Sequence, residues 1–293
     1  MKITRFSFLS AFALLALTAL PQAAQAQNLF VANLGNSTIS QVTPGGVVST
    51  FASGVNAPSA LAFNSSGNLF AANFSNNTIS QVTPGGVVST FAAGFNQPNG
   101  LAFNSSGNLF VANNVINIIS QVTPGGVVST FAGGFSAIRH LAFNSSGNLF
   151  VVNNGTNSIL QVTPGGVVST FASGFNQPFG LAFNSSGNLF VSNLGNNTIS
   201  QVTPGGVVST FASGLNLPLG LAFNSGGTLF VANLGNNTIS EVTPGGVVST
   251  FASGFDTPYA LAFAPTIAAA PEPGTLALLA LGGGLVIVKR RRK

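Results

Sequence analysis

The chain has 293 residues, a formal charge of +5 and no cysteine, and its charge is concentrated at the two ends. Between Gln27 and Ala270 the charged residues are Arg139, Glu241 and Asp256, so this long stretch is close to neutral. It cannot neutralise a row of phosphates, which excludes nucleic acid as a partner, and a cysteine-free fold must be held by packing.

Lys2 and Arg5 precede an apolar run from Phe6 to Leu20, and Ala24-Gln25-Ala26 then supplies the small residues of a signal-peptidase site. Residues 1–26 are expected to be a signal peptide cleaved after Ala26, with Ala24 and Ala26 in the narrow subsites. The alternative, a retained anchor, is disfavoured by the short run and the cleavage site that follows it.

From Asn28 onward a 40-residue unit recurs six times, starting at Asn28, Asn68, Asn108, Asn148, Asn188 and Thr228, and the string QVTPGGVVSTFA occurs five times verbatim. A period of this size signals a repeat architecture. Within the second copy, Gly and Pro separate four short apolar stretches, Leu61 to Phe63, Asn68 to Asn73, Thr78 to Thr83 and Val87 to Ala92. Their Val, Phe, Ile and Thr content predicts strands, and the links are too short for helices. Asn64-Ser65-Ser66-Gly67 fits a hairpin loop with a positive φ at its Gly, and Thr83-Pro84-Gly85-Gly86 fits a type II turn. Leu69-Phe70-Ala71-Ala72 is apolar on successive residues, as expected of a strand covered on both faces.

Four antiparallel strands per unit make a propeller blade. Asn28 to Asn33 reads as a second strand with no first strand before it, and Leu261-Ala262-Phe263 follows the last complete unit as an extra first strand. The fold expected for residues 27–264 is therefore all-β: a six-bladed β-propeller of four-stranded antiparallel blades, closed by the C-terminal strand pairing with the N-terminal blade. An open solenoid would need capping repeats, and none is visible.

Alternate loops of such blades share a face of the disc. One face repeats NSSG and TPGG, while the opposite face carries the variable loops and inter-blade links. The link residues before the inner strands, Ser59, Asn99, Arg139, Phe179, Leu219 and Tyr259, are expected to ring the channel mouth and, with His140, to form the contact site. Arg139 beside His140 has the chemistry to hold a carboxylate or sulfate; the alternative is a solvated loop. Glu241 replaces a Gln shared by the other copies and reads as a surface charge, and Asp256 reads as a turn cap.

After a short linker, residues 265–270, the chain ends in Pro271-Glu272-Pro273, an apolar stretch from Gly274 to Val288, and five basic residues that include Arg290, Arg291 and Arg292. Residues 271–293 closely resemble the PEP-CTERM sorting signal of Gram-negative bacteria. About 15 apolar residues span roughly 22 Å, a marginal bilayer crossing whose basic end should stay cytoplasmic. The resemblance implies an exosortase-type sorting enzyme as partner and an inner-membrane-anchored precursor, delivered to the cell surface or extracellular matrix. The alternative is a plain C-terminal anchor.

The stretches Pro98-Asn99-Gly100-Leu101-Ala102-Phe103, Ser66-Gly67-Asn68-Leu69-Phe70 and Asn196-Asn197-Thr198-Ile199 resemble NHL-repeat propellers, over Asn28 to Phe263. Related six-bladed rings include the gluconolactonase and regucalcin group and the virginiamycin B lyase group. In the gluconolactonase group an Asn matched by Asn99 helps bind a divalent metal beside carboxylates. The residues equivalent to Asn99 in the other copies supply no carboxylate. The lyase group uses His and acidic residues at its metal site, whereas this chain has a single His and no matching acid. No catalytic residue, metal site or cofactor is carried over. The function expected is an exported, surface- or matrix-associated, non-enzymatic binding module for polysaccharide, since Asn, Ser, Thr and Gln solvate its surface. The alternatives are a metal-dependent lactonase or lyase and a purely structural matrix protein.

Overall fold

The computed structural model describes residues 27–265. The expected signal peptide, the PEP motif, the apolar span and the basic cluster lie outside the described residues. Among the described residues, no helix is long and apolar enough to cross a membrane.

Six four-stranded antiparallel sheets form the propeller. Blade 1 combines Leu29–Asn33, Thr38–Val42 and Val48–Ser53 with the C-terminal strand Pro258–Phe263. Blades 2 to 6 follow at residues 58–93, 98–132, 138–173, 178–212 and 218–253. The closing strand pairs antiparallel with the first, Leu29 facing Phe263 and Val31 facing Leu261. Gln27 tightens the seam: its Nε2 donates to the carbonyl of Ala264 at 2.7 Å, and its Oε1 accepts from the Ser225 amide at 2.7 Å.

Burial falls from axis to rim. The second strand of every blade is buried at all five positions, whereas the outer strand exposes its Ser-Thr pair. Between successive blades, a Phe of the second strand packs edge-on against one Phe of its own outer strand and one from the next inner strand. Phe110 lies 4.8 Å from Phe131 and 5.0 Å from Phe143, and the same triad recurs at all six interfaces. Edge-to-face geometry suits the ring quadrupoles and adds about 0.5–1.5 kcal/mol per pair beyond area burial. Three Phe of each blade are thus explained by its two interfaces.

Two local expectations change. The inner strand of blade 2 begins at Pro58, three residues earlier than its apolar run suggests. Proline is tolerated at the first position of a strand, where no ladder donor is needed. Ser59 and its equivalents therefore lie within strands rather than in links. The TPGG turn is also not type II, because positive φ falls on Gly86 (80°) and not on Gly85. The Gly86 amide donates to the Thr83 carbonyl, and Thr83 Oγ1 accepts from the Val87 amide. This matches a tight turn closed by one left-handed residue, the same solution as Asn64 to Gly67, where Asn64 Oδ1 does the work of the threonine hydroxyl.

Candidate functional site in the central channel

The second residue of each inner strand differs from blade to blade: Tyr259, Ser59, Asn99, Arg139, Phe179 and Leu219 in blade order. Their contacts cross the channel. Asn99 Nδ2 donates to the Tyr259 hydroxyl at 3.3 Å, past blade 2. The Tyr259 and Phe179 rings meet edge-on at 5.1 Å, past blade 6. The Arg139 guanidinium stands 5.6 Å from the centre of the Phe179 ring, within cation–π range. Ser59 Oγ donates to the carbonyl of Pro98 at 2.6 Å, which ties blade 2 to blade 3. Ser59, Asn99, Phe179 and Leu219 are buried, while Arg139, His140 and Tyr259 keep partial exposure.

Residue 140 departs most from the repeat. The other blades place Ala60, Gly100, Gly180, Gly220 and Ala260 at this register, where inner strands nearly touch. A Cβ built on Gly100 would sit 2.6 Å from the Arg139 carbonyl. Blade 4 instead carries an imidazole, whose ring lies 5.6 Å from that of Phe179. Burial pushes its pKa down from 6.5 to about 4, a hydrogen bond to the backbone of Ser59 opposes the shift, and the positive charge of Arg139 adds to it. His140 is therefore neutral at pH 7 and offers a lone pair, not a charge. Burial likewise raises the Tyr259 pKa, partly offset by the Asn99 amide and then by Arg139, so the phenol keeps its proton.

Three polar atoms of this cluster are buried without a protein partner: Asn99 Oδ1, Arg139 Nε and His140 Nε2. Leaving such groups unpaired is costly, about 1–3 kcal/mol each. The fourth buried atom of this kind, Asn33 Oδ1, belongs to the seam. In blades 2 to 6 the equivalent Asn accepts from the amide of the incoming link, as Asn73 does from Asn56 at 2.9 Å. In blade 1 Asn33 Oδ1 has no such partner from the link, although the amides of Leu34 and Gly35 donate to the carbonyls of Thr257 and Asp256 as their equivalents do in other blades.

The channel does not suit a divalent cation. Asn99 Oδ1 is a hard acceptor, but the inner strand beside it brings Arg139, whose charge opposes a metal. Asp256 lies exposed on a link, with Oδ1 accepting from Thr257 Oγ1 at 3.3 Å, and Glu241 lies in the third strand of blade 6. Among the described residues no three His, Cys, Asp or Glu side chains come together.

Two polar features escaped the reading of the sequence. Ser192 is fully buried; its hydroxyl donates to the Leu219 carbonyl at 2.7 Å and accepts from the Gly180 amide at 2.8 Å, bridging blades 5 and 6. Its signal was a serine where the other copies carry Ala or Val. The Asn ending each second strand is also buried, with Asn73 Nδ2 donating to Thr78 Oγ1 and Ser80 Oγ. Its recurrence in every copy marked it, but only the fold shows that it staples a variable loop to a link.

A model of the virginiamycin B lyase family matches residues 16–278, and a model of the PEP-CTERM protein-sorting motif matches residues 269–293. Comparison with curated proteins gave no match. Among solved structures, virginiamycin B lyase from Staphylococcus aureus is similar at 17% identity and a TM-score of 0.64, over 83% of this chain and 89% of that one. A catalytically inactive histidine-to-alanine variant of the S. aureus lyase with quinupristin aligns at 16% identity and a TM-score of 0.60, over 79% and 86%. A chain of a nidogen/laminin complex aligns at 18% identity and a TM-score of 0.75, over 83% of this chain and 100% of that one. At these identities the likeness is one of fold.

Proposed function

The chain belongs to the virginiamycin B lyase family and carries the PEP-CTERM motif of an exported protein, and from that premise we propose that it is a non-enzymatic binding module of the cell surface or extracellular matrix, with polysaccharide as its ligand. Residues 271–293 serve in this reading as the substrate of an exosortase-type enzyme, and residues 27–264 as the displayed propeller. The observation that carries it is the trio of unpaired atoms in the channel. Asn99 Oδ1 and His140 Nε2 each require a donor, and Arg139 Nε requires an acceptor. A vicinal diol of a sugar supplies both from adjacent carbons. A carboxylate or sulfate supplies only acceptors, and the neutral imidazole removes one of the two positive charges an anion site would have used.

A glycan array of the purified chain tests this reading. Selective binding to hydroxyl-rich glycans is expected, weakened about tenfold or more in Arg139→Ala and Tyr259→Ala, since each removes a donor or wall of the cluster. An array with no selective signal overturns it and favours a structural matrix protein.

A second reading, a lyase, is favoured by one observation: the chain's single histidine stands in the channel of a family whose S. aureus member is inactivated by a histidine-to-alanine change. Against it stands that, among the described residues, no acidic side chains gather with His140 as a ligand set. Incubation with quinupristin and a divalent metal decides between the two; turnover that disappears in His140→Ala establishes the enzyme.

A further inference from the structure

The outer strands carry a second feature. All six copies contain Val-Val-Ser-Thr-Phe-Ala, and in every one the Ser-Thr pair is exposed, from Ser49 and Thr50 to Ser249 and Thr250. Packing does not hold an exposed side chain constant. Equally exposed positions between the second and third strands do vary, with Asn76, Ile116 and Thr156 at one register. An exposed strand edge is usually protected by Lys, Glu or Pro. None occurs in any of these six edges.

The same pair lines a series of cavities. Blades 4, 5 and 6 each open a cleft between their outer two strands and the link that enters them, of about 470, 170 and 500 Å³. In blade 6 the lining includes Asn216, Asn236, Ser240, Ser249 and Thr250. The clefts of blades 4 and 5 use the equivalent Ser169-Thr170 and Ser209-Thr210. No charged side chain lines any of the three. Blade 4 has Leu160 where blades 5 and 6 have Ser200 and Ser240, so its cleft is the less polar one.

We infer that the rim clefts are repeated subsites for a neutral polysaccharide, each gripping a short stretch of one chain through the exposed Ser-Thr pair and neighbouring Asn amides. This rests on the reading of the protein as a glycan-binding module and adds contacts along the circumference, for a polymer, to those at the channel. Hydroxyl and amide groups exchange hydrogen bonds with water for hydrogen bonds with sugar without stripping an ion of its hydration. Each cleft binds weakly, and a polymer that spans several gains by effective concentration.

The test is affinity electrophoresis of the full chain in gels containing galactomannan or dextran, with alginate as the anionic control. The wild-type chain is expected to be retarded by the neutral polymers, with little effect of salt, and not by alginate. A variant with Ser169→Ala, Ser209→Ala, Ser249→Ala, Thr170→Val, Thr210→Val and Thr250→Val should bind about tenfold more weakly. These side chains are exposed, and an unchanged melting curve shows that the ring is intact. Arg139→Ala, which weakens channel binding of short glycans on the array, should lose less retardation in the polymer gels than the rim variant does. If that variant loses binding while the rim variant retains it, the channel is the site and the rim inference fails, with the glycan reading left standing. No retardation of the wild type by any neutral polymer sinks both. Self-association that the rim variant abolishes, without glycan retardation, assigns the edges to copies of this chain and overturns the inference.

Discussion

The channel and the rim are built from the same repeat and have diverged in opposite ways. At the axis the six equivalent residues are Tyr, Ser, Asn, Arg, Phe and Leu; Asn99, Phe179 and Tyr259 meet across the ring, and most of the six are buried. At the rim the six equivalent pairs are all Ser-Thr, although they are exposed. The axis must be asymmetric because six identical side chains cannot fill one narrow space without clashes or voids. The rim has room for six copies, and in the inference drawn above the sameness there serves a repeated use. Between the two regions lie the Phe triads, which are identical because each interface sees an identical pair of blades.

The contrast is broken most completely by opening the ring. Removing residues 258–293 deletes the closing strand and exposes the edge of Leu29–Asn33; loss of the cooperative thermal transition is expected, with aggregation on a sizing column. Next in size, Phe110→Ala should cost about 3–5 kcal/mol in urea unfolding, and Phe190→Ala should cost the same within error, because their triads are equivalent. Unequal losses would show that the blades are energetically distinct.

A change at the axis has a pH signature. His140 titrates near 6.5 when unfolded and near 4 when folded, so the unfolded chain takes up a proton that the folded one refuses as the pH falls through that window. Stability should drop across it by up to about 3 kcal/mol, and His140→Ala, which matches Ala60 and Ala260, should flatten that part of the profile. An unchanged acid profile would place the imidazole in water. The smallest effect belongs to the rim: Thr250→Val should alter stability by less than about 0.5 kcal/mol, because the side chain is exposed on an outer strand.

Much of this was legible in the repeat. The missing strand before Asn28 and the surplus one at Leu261 are complementary in register, and the structure pairs them. The turn type at TPGG was not legible, since both glycines accept positive φ and only the strand twist selects Gly86. At the channel, the list of variable residues came from aligning the copies, but their burial did not. Position 59 reads as a link until Pro58 is seen to start a strand. Ser192 looked like a neutral drift from Ala, and its role depends on the Leu219 carbonyl of another blade.

By itself, the sequence determined the blade count, the closure and the alternation of loops, because these follow from local strand patterning and from a period that each copy repeats. Which side chains cross the channel, which polar atoms are left there without partners, and that rim hydroxyls line clefts were decided by the tertiary structure alone. Those facts join residues up to 160 positions apart, as Asn99 and Tyr259 are, and such distances are set by how six blades pack around an axis, which no single repeat encodes.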